Sequence, residues 1–465
     1  MVRMVLSLRK CRWAWMLVVV LGLLGPTVDR ATAQDEIIKL VIDELKSGDP
    51  ERQTGAIAIV RDIPGETITK ALAEELPGLS PPVQVQVLST LADRGDASAL
   101  PAVVAASDSA DESVRVAALK TIGQLGNVSS VPLLARRAAE SRGQERKAAR
   151  DSLYRLRGGD IAKAILEQLA ASEPTVKVEL IRAVGERNIT QGVKPLLEAT
   201  AGSDRKVRLE SFKVLKVVAG PEDLPALIDR VLNLAAESDR NEAEKMIAAV
   251  AHKIEDPQAQ AAGVLAVLPN VKDVKNKASL LRILGRIGDS TALPVLRTAL
   301  KDAEKDVQDA ALRALCDWPS PEPVPDLLAV AQTSENRVHR ILALRGFVQQ
   351  LGLVSDQPAD KVIALYRQAL DLAPNVMEKK RVLAGLGGAA TLPALEMAVS
   401  LMDDETLHLE AESAVVRIAR NLGSEHAERR KAALAQVIEK TKNETIRAQA
   451  QAAIDQLNGA EPAPN

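Results

Sequence analysis

Cysteine is almost missing from this chain. There are two in 465 residues, and Cys11 lies in a stretch expected to be removed, so no internal disulfide is available and stability must come from packing. Cys316 is read as a small buried apolar residue. Aromatic residues make up 2% of the sequence, too few to build stacking platforms for bases or sugars. The four histidines, His252, His339, His408 and His426, are scattered with no second histidine or cysteine at ligand spacing. A catalytic zinc needs about three protein ligands close in space, so no metal and no cofactor is expected; His339, near the start of a helix, is read as a solvated position. Charge of one sign is missing too: 60 Lys+Arg stand against 62 Asp+Glu, which argues against a dedicated nucleic-acid binder. No run alternates strictly between apolar and polar residues, so the chain is expected to be almost entirely helical.

What is present begins with an export pattern. Arg3, Arg9, Lys10 and Arg12 precede an apolar run from Trp13 to Leu24, and Ala31-Thr32-Ala33 before Gln34 fits a small-x-small cleavage site. That run is well short of the roughly 20 residues a bilayer span requires. Residues 1–33 are therefore read as a cleaved signal peptide, with export to a bacterial periplasm or cell envelope, or secretion, and no stable membrane span afterwards. Removing five basic residues and one acidic residue changes the net charge from −2 to −6.

The rest of the chain repeats a phrase whose clearest copy is Leu280 to Cys316. Gly288-Asp289 supplies a left-handed helix end and then a capping side chain, and Pro294 falls early in the next helix, where its missing N–H costs little. Val307, Ala310, Ala311, Ala314, Leu315 and Trp318 form one face of the helix after that. Gly95-Asp96 with Pro101, Gly126-Asn127 with Pro132, and Gly220 with Pro225 repeat the punctuation. Units starting near Ala99, Val131, Ile161, Val193, Leu224, Gln260, Leu293, Val324, Asp360, Leu392 and His426, about 31 to 37 residues apart, predict roughly thirteen pairs of short helices over 34–458. The residues from Asn458 to Asn465 have no helical pattern, and 459–465 are expected to form a disordered tail.

The phrases Val-Arg-Val-Ala-Ala-Leu-Lys-Thr-Ile-Gly-Gln-Leu-Gly and Leu-Gly-Arg-Ile-Gly-Asp-Ser-Thr-Ala-Leu-Pro resemble HEAT repeats, most of all the short variety also called PBS-lyase HEAT-like. The resemblance implies an all-α, right-handed α-solenoid, with first helices on a convex face and second helices lining a concave one. It also implies a ladder between neighbouring units made by an aspartate before the second helix and an arginine within it. Asp111 with Arg115 and Asp204 with Arg208 match; Val307-Gln308 breaks the pattern. The family is a binding architecture whose partners vary, so the fold alone names none.

Nothing in the sequence demands catalysis. Gly288-Asp289-Ser290 superficially resembles a hydrolase nucleophile motif, but it fills the turn slot of Gly95-Asp96-Ala97 and Gly126-Asn127-Val128. The same slot accounts for Arg94-Gly95-Asp96. Gly385-Leu386-Gly387-Gly388 follows no strand and lacks a lysine, so it is not a phosphate loop. Asn127, Asn188 and Asn443 begin N-glycosylation sequons.

Charge distribution is the lead. Residues 131–220 hold 18 Lys+Arg against 11 Asp+Glu, a net +7 in an otherwise acidic chain. Arg136, Arg137, Arg142, Arg146, Lys147 and Arg150 form a candidate anionic-partner patch, since guanidinium forks match carboxylates; the competing reading is a solvated helix face with i to i+4 pairs. Glu396 to Glu412 is the reverse, six carboxylates with no cation, read as a solubilising face. The expectation is a non-enzymatic exported scaffold that binds protein partners, some with acidic surfaces. The alternatives are a bilin lyase-like enzyme, implied by the PBS-lyase name, and an accessory subunit of a secreted enzyme complex.

Overall fold

The computed structural model of the chain describes residues 30–459 apart from 235, 355 and 356. The signal-peptide reading falls almost wholly outside these residues, and the tail reading does so from 460 onward. The first helix begins at Arg30, and the last runs through Gly459, past the point where the sequence loses its helical pattern.

The chain divides into two compact units at Val214/Leu215. The first contains α1 (Arg30–Leu45), α2 (Pro50–Asp62), α3 (Glu66–Glu75), α4 (Pro81–Arg94), α5 (Leu100–Ala106), α6 (Glu112–Leu125), α7 (Val131–Glu140), α8 (Gly143–Arg155), α9 (Ile161–Ala171), α10 (Pro174–Glu186), α11 (Val193–Ala199) and most of α12 (Arg205–Val218). The second contains α13 (Leu224–Leu232), α14 (Arg240–Ala251), α15 (Ala262–Val267), α16 (Val274–Ile287), α17 (Leu293–Ala299), α18 (Lys305–Cys316), α19 (Val324–Thr333), α20 (Arg337–Leu351), α21 (Ala359–Leu372), α22 (Val376–Leu386), α23 (Leu392–Ser400), α24 (His408–Asn421), α25 (Ala427–Lys440) and α26 (Glu444–Gly459). Odd-numbered helices are the first members of pairs and even-numbered ones the second. No strand occurs among the described residues.

Second helices of successive pairs pack side by side, α2 on α4, α4 on α6, α6 on α8 and α8 on α10 in the first unit, and α14 through α26 in the same way in the second. Each short helix carries one apolar stripe that it cannot bury alone, and stacking buries it between neighbours. Both units are accordingly all-α solenoid stacks, and the pair starts follow the expected positions within a few residues.

The connecting phrase folds as its residues dictate. Gly95 and Gly288 end α4 and α16 at φ 70° and 72°, a left-handed conformation that glycine adopts without a Cβ penalty. Gly126 and Gly220 do not, at φ −71° and −100°. At Gly126 the reason is space, because a Cβ would stand 2.5 Å from the Ile122 carbonyl oxygen. Asp96, Asn127 and Asp289 then cap a short 3-10 turn by accepting from the backbone N–H two residues on, at 2.9 to 3.0 Å. Trp318 is buried as the stripe requires, but α18 ends at Cys316, and the indole N–H donates to Glu322 at 3.2 Å.

The period differs between the units. In the first, the residues preceding the second helices, Asp49, Ser80, Asp111, Arg142, Glu173 and Asp204, follow one another at intervals of 31. In the second unit, Asp239, Asp273, Glu304, Asn336, Asn375, Leu407 and Asn443 do so at intervals of 31 to 39. A constant interval keeps each slot in line from one pair to the next, so residues 31 apart can be compared as equivalents.

The aspartate–arginine ladder takes another form. Asp111 caps its own helix, accepting from Ser113 N and Val114 N at 2.8 and 3.2 Å, and Arg115 turns back to donate to the carbonyls of Ser109 and Ala110, both at 2.9 Å. Arg208 does the same to Gly202 and Ser203, and Arg340 to Ser334. Gln308 occupies this slot and its amide donates to Asp302 O at 2.6 Å. The slot is therefore not broken at 308, because an amide closes the turn as well as a guanidinium does.

Candidate functional site

Second helices are linked by ion pairs that the sequence reading missed. Arg115 of α6 meets Glu145 of α8 at 2.9 Å, Arg150 of α8 meets Glu179 of α10, and Arg182 of α10 meets Glu210 of α12 at 2.9 Å. In the second unit Lys216 pairs with Glu242, Arg282 with Glu244, Arg345 with Glu378 and Lys380 with Glu410. Glu145, Glu179, Glu244 and Glu378 are buried. A buried carboxylate persists only when paired and hydrogen-bonded, and each of these is.

Arg150 shows how this arose. Leu88, Leu119, Ile181 and Phe212 stand at multiples of 31 from it, and all four are fully buried. Arginine thus takes an apolar core slot, and its fork donates through Nε and Nη2 to the two oxygens of Glu179, both at 2.6 Å. The weak stripe of residues 131–160 is the sequence trace of this exchange.

The six basic candidates consequently separate. Arg150 is committed to Glu179, Arg137 to Asp108 and, at 3.8 Å, Glu145, and Arg146 donates to Ser141 O at 2.8 Å. Arg136, Arg142 and Lys147 are exposed and make no side-chain bond among the described residues. Half of the patch is therefore framework and half faces solvent, along α7 and the start of α8.

The acidic stretch changes in the same way. Glu412 is buried and accepts from Thr441 Oγ1 at 2.6 Å, Glu410 pairs with Lys380 at 2.9 Å, and Asp403 with Lys440 at 2.7 Å. It is only partly a free acidic face.

Electrostatic causes are local. Hydrogen bonds from Lys245 and Lys216 hold the Glu242 carboxyl down at about 2. Burial works to raise Glu145, but Ser141 and Arg115 outweigh it and keep the carboxyl below its ordinary value. The Arg345 fork does likewise for Glu378. Such groups stabilise the fold fully above the ordinary glutamate range, and that stabilisation is lost as pH falls through their folded values. Acid unfolding is expected to begin below about pH 4.5 and continue toward about pH 2, the window set by Glu242. Glu242→Gln should shorten the low-pH end of a circular dichroism titration; an unchanged profile would refute the assignment.

The remaining candidates have structural partners. Burial pushes the Cys316 thiol up to about 12, where it is inert as a nucleophile. Asp289 Oδ2 accepts from Ala261 N at 2.9 Å, so Gly288-Asp289-Ser290 ties one turn to the preceding pair. His252 Nε2 lies 2.9 Å from Ile287 O. His339 is not a solvated position: its side chain keeps 12% exposure and lies 4.0 Å from Asp309. Among the described residues no group of three or more His, Cys, Asp or Glu side chains could hold a metal ion, and no helix is long and apolar enough to cross a membrane.

Helix pairs stacked in register, turns closed by a capping residue and a back-bonding side chain, and second helices laced together define an α-solenoid repeat protein. The HEAT-repeat family model matches residues 69–153 and 261–347, which supports the resemblance to HEAT repeats in those two stretches. No curated protein matches it. Among solved structures, it is similar to the karyopherin Kap121p bound to the extreme C-terminus of the protein phosphatase Cdc14p, with a TM-score of 0.52 and 11% identity over 94% of this chain and 55% of that one. It is also similar to Kap121p bound to Nup53p, at a TM-score of 0.50 and 11% identity over 96% of this chain and 57% of that one. The chain spans just over half the length of these structures, and at this identity the likeness is one of fold.

Proposed function

We propose that the protein is an exported, non-enzymatic scaffold that binds protein partners, with one contact on the exposed basic residues of α7 and the start of α8. The observation that carries this reading is the division of the basic segment: Arg137, Arg146 and Arg150 hold the stack together, while Arg136, Arg142 and Lys147 are left exposed with no role in it. Exposed guanidiniums without partners suit an acidic protein surface. Kap121p, of the same fold, binds the C-terminus of one protein and also Nup53p, which makes partner binding a natural use of such a stack. Export rests on the basic, apolar and small-x-small pattern of residues 1–33.

The test is capture of partners from the cell-envelope fraction, where the full chain should be recovered. Arg136→Gln/Arg142→Gln/Lys147→Gln is expected to reduce the captured partner several-fold with an unchanged melting curve, because none of the three side chains bonds within the fold. Undiminished capture, or recovery of the chain only from the cytoplasm, would overturn the reading.

A further inference from the structure

A second surface, in the other unit, has the form of a binding trough. Two adjoining depressions, of about 500 and 430 Å³, open along α24 between α22 and α26 and share Ser413, Arg417 and Gln449. Leu383, Leu409, Ala414 and Ile446 supply apolar lining to the first, and Arg420 lines the second. Volumes of this order suit a ligand or a few residues of chain, within the range of about 300–1,000 Å³ usual for binding sites.

The lining is cationic and uncommitted. Glu410 is its one acidic residue; one of its oxygens pairs with Lys380 at 2.9 Å, and the other is buried without a hydrogen-bond partner. Arg417 and Arg420 are both exposed. Arg417 donates once, to Ala384 O at 3.1 Å; the Arg420, Ser413 and Gln449 side chains make no bond among the described residues. Two like charges three residues apart on a helix repel by a few tenths of a kcal/mol, so the pair weakens α24 rather than supporting it. The bidentate pairing that absorbs Arg150 and Arg345 elsewhere is absent from these two.

We propose that this trough binds an extended acidic peptide segment of a partner protein, with two carboxylates spaced two residues apart beside an apolar side chain. The geometry selects that ligand. Residues i and i+2 of an extended chain project to one side about 7 Å apart, and the three residues from Arg417 to Arg420 rise about 4.5 Å along α24, a difference that two long, flexible arginine side chains span. Ser413 and Gln449 can both donate and accept, as a peptide backbone requires, and Leu409 and Ile446 offer apolar cover. The inference rests on the reading of the chain as a protein-binding scaffold, but places a contact at a site independent of Arg136, Arg142 and Lys147.

The experiment selects a random peptide library displayed on phage against the full chain, then measures labelled synthetic copies of the enriched peptides by fluorescence anisotropy. Enriched peptides should carry paired aspartates or glutamates. Arg417→Gln/Arg420→Gln should weaken them by about tenfold or more, the loss of roughly one charge-assisted fork. Gln449→Trp, which fills the trough from an exposed position on α26, should do the same, whereas Arg136→Gln/Arg142→Gln/Lys147→Gln should leave affinity unchanged. Enrichment of peptides without acidic residues, or affinity that survives both trough variants, overturns the inference. If affinity survives them but falls with the first-unit variant, or if no peptide is enriched, the trough falls, while the scaffold reading stands or falls with the capture experiment.

Discussion

Gly285→Ala is expected to destabilise the second unit by about 3 kcal/mol, the upper end of what overpacking costs, and to lower its unfolding temperature. A Cβ at 285 would stand 2.6 Å from both Cα and Cβ of Ala314 and 2.9 Å from its carbonyl oxygen. Ala314 is buried on α18 and already minimal in size, so no flexible side chain can yield and the two helices must separate. The same arrangement recurs in both units: a Cβ on Gly185 would meet Val214, on Gly346 the Cys316 sulfur at 2.5 Å, and on Gly385 Val348. One member of each facing pair is small so that second helices can approach closely, and Cys316 is the larger member of its pair. Gly55→Ala provides the opposite sign. It lies on the exposed side of α2 with nothing within 4 Å of a new Cβ, so alanine removes only the flexibility of glycine, a gain of about 0.5–1 kcal/mol. Thermal melts that moved in the same direction for the two substitutions, or did not move for Gly285→Ala, would refute this account.

The repeat was legible because its signals are local: glycine, cap and proline lie within a few residues of one another, and the stripes are periodic within single helices. The ladder was not, since its partners stand 26 to 38 residues apart and meet only once the stack sets their spacing. One trace of it was readable. Arg150 departs from Leu88, Leu119, Ile181 and Phe212 at a fixed interval, and an arginine in an apolar slot demands a buried anion. The trough left less trace, for Arg417 and Arg420 fall just beyond a stretch that reads as acidic. That stretch is only partly free because Glu412 turns inward to Thr441 and Glu410 toward Lys380, and no residue count distinguishes a buried carboxylate from an exposed one. His339 failed for a similar reason, its helix position being given by the period while its approach to Asp309 of the preceding second helix arises only in the stack.

The ladder also predicts how the chain responds to losing one rung. Glu179→Ala removes the anion held by Arg150 at 2.6 Å and Arg182 at 2.8 Å. Arg150 then sits in a core slot with no counter-ion, while Arg182 retains Glu210 at 2.9 Å. Breaking a fully buried pair costs about 3–5 kcal/mol; here the guanidiniums keep 29% and 33% of their surface, so solvent lowers the expected loss to about 2 kcal/mol. Arg150→Leu alone should cost less, because Glu179 keeps Arg182. Combined, Arg150→Leu/Glu179→Ala restores the apolar residue type of Leu119 and the alanine found at Ala148 and Ala117 one and two slots upstream, all compatible with the same packing. A buried ion pair replaced by well-fitting apolar groups is often neutral. The double variant should therefore lie within about 1 kcal/mol of the parent, recovering most of the loss caused by Glu179→Ala. Urea unfolding of the parent, the two single variants and the double variant closes the cycle, and a double variant as unstable as the sum of the singles would show that Arg150 and Glu179 act independently, leaving the weak stripe of residues 131–160 without its explanation.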